Sequence, residues 1–253
     1  MKRRKIKIFY TLHNKESHYS THKQIKRLIR KIVLSNSDFV LCHSKEGIDI
    51  INNEKGIKGK TLYLPHPFKK ESLQDPVKEK KYDILIWGAI RPYKGIDKFF
   101  SYLESNNILK KYKTLVAGKI FPEEYEKELI VFRSDSLHII NSFIEDKVLN
   151  EFIAQSKITL FTYNENSVLS SGALIYSLSK GANVIGPNTG AFKDLYQEGL
   201  IEVFENYDEL IEIIDKQLNS LSSKAKKINK YIEENSWEKF GSKISDWILG
   251  NNK

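Results

Sequence analysis

Short apolar runs alternate with amphipathic stretches along the chain. Residues 6–12 alternate and then turn apolar, as a short strand does, and the run ends at His13-Asn14. Ile25, Leu28, Ile29, Ile32 and Val33 then recur at spacings of three and four, with Lys23, Lys26, Arg27, Arg30 and Lys31 on the opposite face. That spacing predicts a basic amphipathic helix. Residues 39–42 read as a buried strand with His43-Ser44 at its C-terminal end, followed by a helix over 44–52 and a strand over 61–64. Residues 69–81 are polar, contain a proline and have no period, which predicts a linker.

A fresh alternation starts at Tyr82. Strands are expected over 83–87, 114–117, 137–140, 158–161, 182–186 and 202–204. Helices are expected over 95–106, 123–132, 146–155, 171–180 and 207–221. Apolar strands of this length separated by helices predict an α/β fold with a mainly parallel, Rossmann-like sheet covered on both faces. The last helical stretch is interrupted around Asn235-Ser236-Trp237. Beyond it Trp237, Phe240, Ile244, Trp247 and Ile248 share one face, expected to pack onto a lobe.

Composition narrows the class. Of 253 residues, 40% are hydrophobic and 29% charged, as in ordinary soluble domains. A single cysteine, Cys42, excludes an intramolecular disulfide framework and a Cys-based zinc site, and favours a reducing compartment. No secretory-type apolar run and no membrane-spanning stretch is present, so a cytoplasmic location is expected. The net charge of +9 is unevenly placed: residues 1–81 carry 20 Lys+Arg against 8 Asp+Glu, a net +12, and the remainder carries −3. No aromatic RNA-binding pattern, zinc-finger spacing or recognition helix accompanies the charge, so no nucleic-acid partner is expected. An anionic membrane surface, an anionic lipid-linked substrate or a solvated basic face each accounts for it.

Three turns carry candidate chemistry. Gly88-Ala89-Ile90-Arg91-Pro92-Tyr93-Lys94-Gly95 follows a strand and opens a helix, where an open α/β sheet binds ligands; its glycines admit close backbone approach and Arg91 and Lys94 add cations. Ser167-Val168-Leu169-Ser170-Ser171-Gly172 offers hydroxyls and helix-start amides suited to phosphate, although Ser170 or Ser171 serves equally as a plain N-cap. Gly186-Pro187-Asn188-Thr189-Gly190 is a further turn after a strand. His13 is a lone histidine, equally readable as a hydrogen-bonded loop residue. His18, His22, His43 and His66 lack metal-ligand spacing.

The order of these motifs resembles the donor lobe of retaining family-4 glycosyltransferases of the GT-B fold. Residues 87–97 look like that family's Gly…Arg…Lys-Gly turn, Phe143-Ile144 before Asp146 like the stretch where the nucleotide base docks, and Ser170-Ser171-Gly172 like its phosphate turn. Residues 181–185, Gly190 and Ser236-Trp237 match the later strand entry, glycine turn and C-terminal crossing helix. The resemblance covers residues 82–249, and weakly 8–68. It implies donor binding by Gly88, Arg91, Lys94, Phe143, Ile144, Ser170, Ser171 and Gly172. It gives catalytic roles to His13, Arg91 and Lys94, and needs no metal or cofactor beyond a nucleotide-diphosphate sugar donor. The expected organisation is a partial acceptor-side lobe over 1–68, a linker over 69–81, a nucleotide-sugar lobe over 82–234 and a crossing helix over 235–253.

Two departures stand out. The family's pair of glutamates falls near Val168 and Tyr176, neither acidic, with Glu165 the nearest substitute. The acceptor-side lobe is also short, as if its opening strands were absent. The expectation is a retaining transferase acting on a polysaccharide or lipid-linked acceptor, located at the inner face of a membrane. The alternative is a non-catalytic or partner-dependent subunit whose first lobe a second chain completes.

Overall fold

The computed structural model describes residues 6–15, 23–54, 56–57, 60–69, 80–163, 168–219 and 224–249. Nine strands form two parallel sheets among them. β1 (Phe9–Leu12), β2 (Phe39–Cys42) and β3 (Lys60–Tyr63) make the first, in that order, linked by α1 (Lys23–Asn36) and α2 (Lys45–Asn52). The second contains β4 (Tyr82–Trp87), β5 (Thr114–Ala117), β6 (Leu137–Ile140), β7 (Ser156–Leu160), β8 (Val184–Pro187) and β9 (Glu202–Phe204) in the order β6-β5-β4-β7-β8-β9. The chain winds outward twice from the middle of this sheet, so β4 and β7 flank the point where strand order reverses.

Alternation along the strands sets the layers. Ile84 and Ile86 of β4 face one side and Leu85 the other. The first side is covered by α3 (Ile96–Ser105), α4 (Glu123–Ile130) and α8 (Tyr207–Leu218) through Phe99, Phe100, Leu129 and Leu210. The second is covered by α5 (Asp146–Ala154), α6 (Gly172–Ser179), α7 (Gly190–Gln197) and α9 (Ala225–Glu234) through Ile153, Leu174, Phe192 and Ile228. These are the helices and strands that periodicity predicts, with α7 added. The 186–190 turn reads in sequence as an end in itself, but Thr189 is the N-cap position of a helix that buries Phe192 and Leu195.

The interruption near residue 235 separates α9 from α10 (Trp237–Leu249). Phe68 and this corner clasp each other: the Phe68 amide donates to the Asn235 carbonyl (2.9 Å) and the Trp237 amide donates to the Phe68 carbonyl (3.2 Å). From there α10 returns to the first sheet, where Phe240, Ile244 and Trp247 pack against Phe39, Leu41, Leu62 and Leu64. Trp237 and Ile248, expected on the same packed face, are about half exposed. Residues 70–79, most of the expected linker, lie outside the described residues.

The seating of α1 is unusual. A basic amphipathic helix normally turns its apolar stripe inward. In α1 only Leu34 reaches the core, while Ile25, Leu28, Ile29 and Ile32 are more than half exposed. The physical reason is the narrowness of the first sheet. β1 is its edge among the described residues, so no further strand lies beneath the outer side of α1.

Candidate functional site

The lobes meet over the C-terminal ends of β4 and β7. Leu169, just after β7, is buried in the core of the first lobe with Leu12, Leu34, Val40 and Cys42, a contribution of about 2 kcal/mol. Asn14 forms an antiparallel bridge with Val168, and His13 Nδ1 lies 3.4 Å from Ser170 Oγ. Residues 168–171 are therefore held from both sides, which gives the donor-side turn a defined position.

Beneath that clamp is a cavity of about 420 Å³ lined by Asn14, Trp87, Gly88, Ala89, Tyr93, Lys94, Tyr163, Val168, Ser170, Ser171, Gly172 and Ala173. It brings together two turns about 80 residues apart in sequence. On the β4 side, Gly88 has a φ of +103°, which few side-chain-bearing residues adopt, and a methyl group there would stand 3.1 Å from Lys94 Nζ. On the β7 side, Ser171 caps α6: its hydroxyl accepts from the Leu174 amide (3.3 Å) and lies 3.2 Å from the Tyr163 hydroxyl. The plain capping role thus belongs to Ser171. Gly172 has open space where a side chain would be, and the amides of this first helical turn have no intrahelical acceptor. An anion entering the cavity meets that positive helix end.

Lys94 supplies the charge. Its side chain is buried; Nζ donates to the Trp87 carbonyl (2.8 Å) and lies 5.9 Å from the centre of the Tyr163 ring. Thr162 fixes its backbone by donating to the Lys94 carbonyl (2.6 Å). Among the described residues no carboxylate pairs with Nζ. Burial lowers its pKa from the ordinary 10.5 to about 8. The folded state therefore holds fewer protons than the unfolded chain between about pH 8 and 10.5, so this group makes the empty protein more stable as pH rises through that window. An anion beside Nζ returns the pKa upward. Binding of a nucleoside diphosphate is expected to take up protons near pH 9, where the unliganded lysine is mostly neutral, roughly following this linkage. Calorimetry in buffers of different ionisation enthalpy measures it.

The other expected site residues are placed differently. Arg91 is outside the cavity lining, with its guanidinium 5.1 Å from the centre of the Phe121 ring. Phe143, 82% exposed, and Ile144, packed on the core below α5, stand after β6 and also outside the lining. Tyr176 packs edge-on against Trp87 and donates to Asn150, and Val168 is buried at the cavity wall. Glu165, Ser167, His18 and His22 lie outside the described residues. His43 and His66 line up behind His13, with ring centres 5.6 Å and then 5.0 Å apart. Burial lowers the pKa of both, that of His43 to about 4.

Residues that the sequence did not single out build the rest. Glu46 accepts from the Gly190 amide (2.8 Å) and the Thr189 hydroxyl (3.0 Å) and is ion-paired with Lys15. Burial opposes its charged form, but these bonds outweigh it and leave the pKa below the ordinary value. The Lys45 amide donates to Asp194 (2.8 Å) beside it. A carboxylate of the first lobe thus caps α7 of the second. The one available signal was the unclaimed Gly190 helix start, which needs an acceptor.

No protein-family model and no curated protein sequence matches the chain. Solved structures do match in fold. Sucrose-phosphate synthase from Thermosynechococcus elongatus superposes with a TM-score of 0.74 at 14% identity, covering 96% of this chain and 67% of that one. HepE of Anabaena, solved with UDP and glucose, gives 0.72 at 13% identity over 94% and 71%. The pneumococcal O-GlcNAc transferase GtfA, solved with UDP and GlcNAc, gives 0.66 at 14% identity over 96% and 52%. The α/β arrangement is that of GT-B glycosyltransferases, and the chain spans between about half and 71% of these matched structures' length.

Proposed function

We propose that the chain is a glycosyltransferase of the retaining family-4 type, moving a sugar from a nucleotide-diphosphate donor to a glycan or lipid-linked acceptor. The observation that carries this is the juxtaposition of buried Lys94, which no carboxylate pairs among the described residues, with the Gly172 and Ala173 end of α6 at the point of strand reversal. The UDP complexes among the similar structures support a donor of that kind. In the transfer the bond from the anomeric carbon to the diphosphate breaks and the diphosphate leaves with the electron pair. The acceptor hydroxyl oxygen bonds to the same carbon and releases its proton to the leaving phosphate. Lys94 and the start of α6 offset the charge that grows on the departing oxygen. His13, beside Ser170 at the rim, is assigned to the transferred sugar. Arg91 takes a smaller share because it rests on Phe121, and Arg91→Ala is expected to weaken UDP binding less than Lys94→Met does.

Incubation of the purified chain with a panel of nucleotide sugars, following nucleotide release, tests the reading. Release with at least one donor is expected. A second reading is favoured by the place of β1 at the sheet edge among the described residues and by the exposed apolar side of α1: a subunit whose first lobe a partner chain completes. Release only after addition of that partner marks the second reading, and no UDP affinity under either condition removes both. Cytoplasmic location at an anionic membrane is retained within the proposal, resting on the charge of the first third and the same apolar side. Salt-sensitive flotation with phosphatidylglycerol vesicles, absent with phosphatidylcholine, is its signature.

A further inference from the structure

A second cavity, larger than the one beneath the lobe clamp, opens in the first lobe. It lies between α1, α2 and the end of β1, measures about 1070 Å³, and is lined in part by Lys15, Lys26, Arg27, Arg30 and Lys31. Three carboxylates, Glu46, Asp49 and Glu54, share the lining. Two are already engaged: Glu46 pairs with Lys15 and caps α7, and Glu54 lies 3.6 Å from Arg30. Among the described residues, five cations and three carboxylates line the space. Arg30 is held by the Lys15 carbonyl, and its Nε is buried without a hydrogen-bond partner. A buried donor of this kind costs about 1–3 kcal/mol unless something accepts from it.

Position adds to charge. Asn14 lines both this cavity and the one that holds Lys94, and His13 on the wall of the larger one reaches Ser170 of the smaller. The two spaces are therefore neighbours across His13 and Asn14. The seating of α1 places Lys26, Arg27, Arg30 and Lys31 on this wall, beside the aliphatic Leu28 and Ile50.

We propose that the α1–α2 cavity is the acceptor site and that it takes an anionic glycan, a saccharide carrying phosphate, sulfate or carboxylate groups. The inference rests on the glycosyltransferase reading above. Arg30 offers its unpartnered Nε to such an oxyanion, Arg27 brings a planar guanidinium, and Lys26 and Lys31 add point charges. The acceptor hydroxyl then enters past His13 and Asn14 toward the anomeric carbon, with bonds exchanged as described for the transfer.

The test uses the full chain and three probes: a sulfated heparin pentasaccharide, neutral maltopentaose and a single-stranded oligonucleotide of equal charge. The pentasaccharide is expected to bind at least about tenfold more tightly than either of the others, with affinity falling as salt rises. Lys26→Gln with Lys31→Gln is expected to lower pentasaccharide affinity about tenfold or more and to leave UDP affinity unchanged. The Lys26→Arg, Lys31→Arg pair, which retains the charge, is expected to keep both. Equal binding of maltopentaose or the oligonucleotide, unchanged binding by the Gln pair, or no pentasaccharide binding at all would overturn the proposal. Absence of UDP binding in the unsubstituted chain is a separate result, and it removes the donor reading instead.

Discussion

Lys94→Met is expected to lower UDP affinity and donor turnover by about a hundredfold or more, in line with removal of a preorganised charge from the site, while leaving the melting temperature level or raised. The two effects separate because Lys94 is poorly placed for stability. Its ammonium is buried, has one carbonyl acceptor at 2.8 Å and no paired carboxylate among the described residues, and burial alone pulls its pKa to about 8. Methionine fills nearly the same volume without desolvating a charge, and volume-conserving swaps cost little, ~1.5 kcal/mol at most. A lysine kept for packing alone would behave the other way, with stability lost and UDP affinity retained. Calorimetric titration and a thermal melt on the same sample decide between them.

Gly118→Ala carries the largest expected effect on folding. Gly118, after β5, has a φ of +151°, and an added methyl would fall 1.8 Å from the Gly88 carbonyl oxygen and 2.8 Å from its carbon. Both partners are backbone, so no side-chain rotation relieves the clash. The cost is expected at roughly 3–5 kcal/mol, the upper range for single substitutions with a named steric cause, and any protein that still folds must shift the Gly88 turn and lose UDP affinity. Gly172→Ala is the matched control, because that position has open space and an ordinary backbone. It should leave the melting temperature within a few degrees, roughly the span of ~1 kcal/mol.

The second lobe was largely readable in the sequence. Its strands over 114–117, 137–140 and 202–204 agree with the structure to the residue, because β-branched and leucine runs bounded by polar turns have one economical use in a doubly covered sheet. The meeting of the Gly88 and Ser170–Gly172 turns was implied by their shared place at strand ends. What escaped depends on long-range contact. The seating of α1 follows from the width of the sheet beneath it, which helical periodicity does not encode. Glu46 joins Gly190 across 144 residues, and no local pattern marks it. Arg91, Phe143 and Ile144 sit in the expected loops and outside the cavity lining, Arg91 beside the Phe121 ring.

The central claim is that the crevice between β4 and β7 receives a nucleoside diphosphate. Adding UDP to uniformly nitrogen-labelled protein and following backbone amide shifts tests it most directly. The account predicts the largest shifts at Gly88, Lys94, Gly172 and Ala173, with those of α1 nearly still. Shifts concentrated in α1 and α2 with the Gly88 and Gly172 amides unmoved, or no shifts at millimolar UDP, would contradict it.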